Sequence, residues 1–364
     1  MNMDSKTCFM DCQDYSREEL LAMADLIRRL KKSAYEKKVP KLLHGQSLAM
    51  IFNGNSTRTR VSFEVAAGEL GAQPLYLTGG PEGELHLGKR ETIGDTARVI
   101  SSMVDAISMR WRDTLEMEEF AEACSVPFFN MMDNTRHPTQ TLCDFVTILE
   151  NLPEGKELKD VRLTYIGATG VRETSANDLA RLLPRFGATV VLCSPKEHVL
   201  GGAEDHSPEW MIERNRAGRK KAIEEGGGAV LTTDDPIEAV QGADFVYTGC
   251  FCYEGTESKS DFEYYQEVFL DKGFQVNRDL LAHCPNAKTM HYLPALRGKE
   301  MDDYAMDFEG SLLWKQAENR LHTQRGLLAY FMSPQTKEHS DVELDNEAEE
   351  IKSMISSMIS RFRA

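Results

Sequence analysis

The stretch from Leu48 to Glu64, LAMIFNGNSTRTRVSFE, decides how the rest of the chain is read. An apolar run, Leu48 to Phe52, gives way to Asn53-Gly54-Asn55 and then to Ser56-Thr57-Arg58-Thr59-Arg60, which leads into a helical segment reaching about Leu70. This is a strand, a tight turn and a helix start. Backbone N–H groups at a helix N-terminus lack intrahelical partners and the helix dipole adds positive charge, so the turn favours an anion. Two arginines and three hydroxyls within five residues add donors suited to phosphate oxygens. A merely capped helix needs one Ser or Thr, not the whole set.

At 364 residues the chain accommodates two domains, each with its own core. A hydrophobic content of 41% with 27% charged residues is ordinary for a soluble globular protein. The sequence contains no apolar run near the ~18 residues of a membrane helix, and its first residues, MNMDSKTCFMDCQDYS, lack the apolar centre of a signal peptide; a cytoplasmic setting is expected. A formal charge of −16 argues against nucleic acid, whose phosphates demand basic surface, but suits a cationic small substrate. The eight cysteines are scattered, and Cys250 and Cys252 stand too close for zinc-type spacing, so they read as reduced thiols with no metal site.

Strand and helix patterns alternate along both halves. Helices are expected over residues 16–38, 58–70, 91–102, 114–123 and 138–149, with strands at 48–52, 75–77, 106–109 and 126–129. The pattern breaks at Leu152-Pro153-Glu154-Gly155 and restarts with strands at 162–166, 189–193 and 245–247. The expected fold is α/β with two domains, 1–151 and 152–332, each a parallel sheet with helices on both faces. Sites in such sheets lie at the carboxyl ends of strands, so a cleft between the halves is expected. Residues 333–364 form an extension whose Ile351, Met354, Ile355, Met358, Ile359 and Phe362 line one helical face.

STRTR after a buried strand resembles the carbamoyl phosphate site of the ornithine, aspartate and putrescine carbamoyltransferases. Met109-Arg110, His137-Pro138-Thr139-Gln140, and His291-Tyr292-Leu293-Pro294-Ala295 followed by Gln316-Ala317-Glu318-Asn319-Arg320 agree with it in order. The resemblance implies transfer of a carbamoyl group from carbamoyl phosphate to a small amine. It would place Ser56, Thr57, Arg58 and Thr59 on the phosphate, Arg110 on its other side, His137, Gln140 and Arg320 on the carbamoyl group, and Leu293 in the same donor site. It implies no cofactor, since positioning and charge stabilisation suffice. It also implies an obligate oligomer, a homotrimer or a multiple of it, in which a loop carrying His86 (Gln in the resembling enzymes) reaches into the neighbouring subunit.

Departures from the family pattern concentrate on the acceptor side. Tyr292 stands where a Cys is usual, and Gly249 where an Asp holds the amine; an Asn pair is absent from Gly167-Ala168-Thr169-Gly170-Val171-Arg172. The candidate acceptor residues are Arg172, Gly249, Tyr253, Glu254 and Tyr292. Putrescine is the favoured acceptor, because the neighbourhood of Leu152–Glu157, Arg297-Gly298 and Arg325–Leu328 and the tail are most similar to that branch; ornithine comes next. Arg172 instead suits an acceptor carrying a carboxylate. Two other classes are a non-catalytic carbamoyl phosphate-binding homologue, motivated by Gly249 and Tyr292, and a Rossmann-type oxidoreductase, motivated by Gly167 and Gly170 after a strand.

Overall fold

The computed structural model describes residues 7–80, 83, 85–250, 263–333 and 346–362. The chain divides into two compact units, residues 1–146 with 318–364, and residues 147–317. The sequence places the break at 151/152. The observed division falls inside two helices, Pro138–Glu150 and Leu313–Met332, at 146/147 and 317/318, where no adjoining Gly or Pro marks it.

The first unit holds a parallel sheet of β1 (Cys8–Phe9), β2 (Ser47–Phe52), β3 (Gln73–Thr78), β4 (Ala106–Arg110) and β5 (Phe128–Met132), in the order β1-β5-β4-β2-β3. Leu48 to Phe52 are all buried, as a parallel strand covered on both faces requires. Helices α1 (Arg17–Tyr35), α2 (Thr57–Leu70), α3 (Ile93–Ser101), α4 (Thr114–Ala123) and α5 (Pro138–Glu150) alternate with these strands. One core cluster gathers Ala49, Ile51, Ile107, Met109 and Phe128 of the sheet with Ala97, Met117 and Phe120 of α3 and α4.

The second unit repeats the plan. Strands β6 (Arg162–Ile166), β7 (Thr189–Cys193), β8 (Ala229–Thr233), β9 (Phe245–Thr248) and β10 (Lys288–His291) run parallel in the order β10-β9-β6-β7-β8. Helices α6 (Thr174–Leu182) and α7 (Glu209–Gly226) belong to this unit. Its core cluster packs Ile166, Val191, Val246 and Cys193 with Phe269, Phe274, Leu280 and Leu313.

In the first sheet the chain moves outward from β2 to β3 and then crosses to β4 on the other side of β2; in the second it moves from β6 through β7 to β8 and then crosses to β9 on the other side of β6. The first sheet switches between β2 and β4, and the second between β6 and β9. Ligands of open parallel sheets bind at such points, outside the carboxyl ends of the strands.

Some sequence expectations shift. Strand β5 starts two residues later than expected and ends three later, because Asn130, which looks like a strand end, is buried in the sheet with its amide donating to the Met10 carbonyl (3.2 Å) and Asp133 Oδ2 (2.9 Å). Strand β1 is too short to leave a periodic signal. In α1, Leu21 faces outward at 36% exposure, while Leu26 joins Leu20, Met23, Ala24, Ile27 and Leu30 in the core. The C-terminal helix, Asn346–Phe362, buries Ile351, Ile355 and Met358 and packs on α1 of its own chain, where Arg29 pairs with Glu350 at 2.5 Å.

Candidate active site at the two switch points

The switch point of the first unit is built from the ends of β2 and β4. Asn53-Gly54-Asn55 turns the chain, with Gly54 at φ +112°, a conformation that side-chain-bearing residues rarely adopt. Ser56 takes the N-cap position of α2 in extended backbone, yet its side chain makes no cap hydrogen bond. Its hydroxyl instead lies 3.2 Å from Nη1 of Arg110, the last residue of β4. Arg110 Nη1 also reaches Thr59 Oγ1 at 3.5 Å. Thr59 is buried on the first turn of α2, Thr57 is exposed there, and Arg58 is half-buried. Burial lowers the pKa of Arg58, the mark of a cation held partly out of water.

A second row of side chains closes on the same hydroxyl. Arg320, from the Leu313–Met332 helix, donates to Thr59 Oγ1 at 2.9 Å and to Gln140 Oε1 at 2.5 Å. Gln140 in turn donates from Nε2 to Asp144 Oδ1 at 2.7 Å, one turn along α5. Its backbone N–H bonds the His137 carbonyl at 2.9 Å, the first turn of that helix. Burial, then Arg320, then Arg110 push the His137 pKa well below the ordinary histidine value, so its imidazole is neutral near pH 7.

The approach to His137 is held rigidly. Asp133, which is buried, accepts from the backbone N–H groups of Thr135 (2.7 Å) and Arg136 (2.9 Å) and from Arg136 Nη2 (2.7 Å), while Arg136 also reaches Glu118 at 3.0 Å. Of the residues that the sequence assigns to the donor, Ser56, Thr57, Arg58, Thr59, Arg110, His137, Gln140 and Arg320 therefore all lie in the first unit. Asp144 and Asp133 were not singled out from sequence; an Asp four residues after Gln140 is the signal that could have found the first. Leu293 belongs to the second unit. His86, half-buried, lies in the loop between β3 and α3, where its carbonyl accepts from Lys89 N–H at 3.2 Å.

At the switch point of the second unit the chemistry is different. Tyr292 follows β10, and its hydroxyl accepts from the Cys250 backbone N–H at 2.8 Å and donates to Glu173 Oε2 at 3.4 Å. Gly249 follows β9 and is buried; a Cβ there would come within 2.3 Å of Tyr165 Oη and 2.7 Å of Tyr292 Cε1. Arg172 is exposed. Tyr253 and Glu254 lie outside the described residues. Leu293 has φ +57°, uncommon for a branched side chain, and its N–H donates to His291 Nδ1 at 2.7 Å.

The Gly167–Gly170 turn that suggested a dinucleotide site is occupied from within. Asp205 Oδ2 accepts from Val171 N–H and Gly201 N–H, both at 3.0 Å, and a Cβ at Gly170 would stand 3.2 Å from Asp205 Cγ. A carboxylate already takes a backbone donor that a pyrophosphate would use there. Among the described residues no helix is long and apolar enough to cross a membrane.

Comparison with known proteins gives matches over both halves of the chain. The description "Aspartate/ornithine carbamoyltransferase, carbamoyl-P binding domain" fits residues 8–150, and the Asp/Orn binding domain of the same enzymes fits residues 159–331. An ornithine carbamoyltransferase of Pyrococcus abyssi is 38% identical over 325 residues, 88% of this chain and 94% of that protein. A putrescine carbamoyltransferase of Mycoplasma mycoides subsp. mycoides is 36% identical over 346 residues, 93% of this chain and 89% of that one. The solved ornithine carbamoyltransferase of Pyrococcus furiosus superposes with a TM-score of 0.76 at 36% identity, covering 89% of this chain and 96% of its own. With both domains matched in order and over most of its length, the chain belongs to the aspartate/ornithine carbamoyltransferase family and is an enzyme that transfers a carbamoyl group.

Proposed function

We propose that the enzyme transfers the carbamoyl group of carbamoyl phosphate to a primary amine, with putrescine the favoured acceptor and ornithine next, giving a ureido product and inorganic phosphate. The supporting observation is the continuous set of donors from Arg110 through Ser56 and Thr59 to Arg320 and Gln140, with Arg58 beside it. In this reading Ser56, Thr57, Arg58 and Thr59 hold the phosphate dianion from the helix start, and Arg110 holds its other side. Neutral His137, Gln140 and Arg320 meet the carbamoyl carbonyl and amide, where negative charge develops as the amine attacks, with Leu293 in the same donor site. The C–N bond forms, the C–O bond to phosphate breaks, and the departing phosphate takes the amine proton. No separate strong base is required.

The acceptor falls to the second unit, with Arg172, Gly249, Tyr253, Glu254 and Tyr292 as its candidate contacts. A phenol hydroxyl both donates and accepts, and Tyr292 serves here as a hydrogen-bonding group and not as a base. The exposed Arg172 supports a second reading, an acceptor that carries a carboxylate. We place the enzyme in the cytoplasm as a homotrimer or multiple of one, with the His86 loop serving a neighbouring subunit.

The test is to offer carbamoyl phosphate with putrescine, ornithine, agmatine, lysine and aspartate in turn, and to assay ureido product. Putrescine is expected to turn over best. Best turnover with ornithine overturns the acceptor assignment, and carbamoyl phosphate binding without release of phosphate with any amine favours a non-catalytic homologue.

A further inference from the structure

The loops after β6, β9 and β10 converge on Tyr292. Its hydroxyl is fixed by Cys250 N–H at 2.8 Å and meets Glu173 Oε2 at 3.4 Å. Glu173 ends the loop after β6 and is 3% exposed, so its carboxylate sits in a medium where charge–charge interactions are much stronger than in water. Gly249, between them in the sheet order, cannot contribute: Tyr165 Oη and the Tyr292 ring occupy the volume that any side chain there would enter. The wall thus sets a glycine hemmed in by two tyrosines beside the Glu173 carboxylate, which meets the hydroxyl of one of them.

We propose that Glu173 determines acceptor specificity: it selects an acceptor that bears a second cationic group besides the reacting amine, and Tyr292 orients that carboxylate through its hydroxyl. This deepens the acceptor assignment above and rests on the second unit carrying the amine. Tyr292 is a positioning residue in this scheme, and Gly249 keeps its ring in place.

Glu173→Gln keeps the shape and removes the charge. The KM for putrescine should rise about tenfold or more in that variant, the effect of losing a charge-assisted hydrogen bond. The KM values for butylamine, which lacks the second cation, and for carbamoyl phosphate should stay within about twofold. Tyr292→Phe should raise the putrescine KM by a smaller factor at unchanged kcat. An equal rise for putrescine and butylamine in Glu173→Gln overturns the proposal.

Calorimetric titration of putrescine, ornithine and agmatine into the full-length protein holding inorganic phosphate reads the same residue without turnover. Wild-type binding that weakens about tenfold or more in Glu173→Gln supports the proposal even if no amine is carbamoylated, the outcome that removes the transfer reading instead. Equal binding by both proteins, or no binding of any of the three to wild type, overturns it.

Discussion

The two parallel sheets order their strands differently, β1-β5-β4-β2-β3 against β10-β9-β6-β7-β8, and the switch points they form are filled with opposite chemistry. Between β2 and β4 stand a helix start, Arg110 and Arg320 on one threonine hydroxyl, a partly buried Arg58 and a neutral histidine. Between β6 and β9, and at the end of β10, stand a glycine without room for a side chain, a tyrosine hydroxyl and a buried carboxylate. On the function proposed above, the first set answers to a phosphate dianion with a carbonyl, which calls for arginines, N–H groups and a short helical turn, and the second set answers to the acceptor, which can change without disturbing the donor side.

This contrast can be tested at both ends. The largest expected effect is on stability: Asp133→Ala takes from buried Arg136 the carboxylate it pairs with most closely, leaving Glu118 at 3.0 Å and the charge of Asp11, and loss of one partner of a buried ion pair costs about 3–5 kcal/mol. Urea unfolding followed by circular dichroism measures it; a loss under about 1 kcal/mol would show that the turn before His137 is not held as described.

Arg58→Ala should leave the unfolding midpoint nearly unchanged and cut kcat/KM for carbamoyl phosphate about 100-fold, the equivalent of ~3 kcal/mol for a charged hydrogen-bond donor. Steady-state assays with carbamoyl phosphate as the varied substrate provide the comparison. Unchanged activity would take Arg58 out of the site.

Gly249→Asp tests the second switch point. Overpacking against Tyr165 and Tyr292 should cost about 1–3 kcal/mol in urea unfolding and raise the acceptor KM, with the KM for carbamoyl phosphate unaffected. A stable variant with unchanged acceptor kinetics would mean that Tyr292 moves aside freely.

The smallest effect concerns pH. The folded protein keeps His137 neutral well below the ordinary value and holds His322 to about 4, by burial first and then by Arg325. Both are depressed in the fold, so as pH falls below about 6.5 the unfolded chain binds protons that the folded chain refuses, and stability declines. Urea midpoints at pH 7.5 and 5.5 should differ in that sense. The rate with carbamoyl phosphate should show no inflection between pH 6 and 7 that disappears in His137→Gln.

Much of the first unit was legible because its signals are local. The apolar run of β2, the STRTR helix start and the His137-Pro138-Thr139-Gln140 quartet that opens α5 survive in the sequence whatever surrounds them. The match to Arg110 and Arg320 rested on the family pattern, since a residue 261 positions from Thr59 in the chain leaves no local trace of their contact. The second switch point was legible only as departures. Gly249 and Tyr292 stood out as substitutions, but the reason they occur together is three-dimensional: Tyr165 and Tyr292 each reach into the volume that a side chain on the glycine would enter. Glu173 passed unnoticed because a glutamate just before a helix reads as an ordinary first-turn acid, and its burial is a property of the fold.

The central claim is that the arginines at the end of β4, the start of α2 and the Leu313–Met332 helix together hold the donor. Its most direct test is calorimetric titration of carbamoyl phosphate into wild type and into the Arg58→Ala, Arg110→Ala and Arg320→Ala variants, each first shown to be folded. The account predicts one site per chain in wild type and an affinity about tenfold or more weaker in every variant. Wild-type affinity in all three folded variants would contradict it.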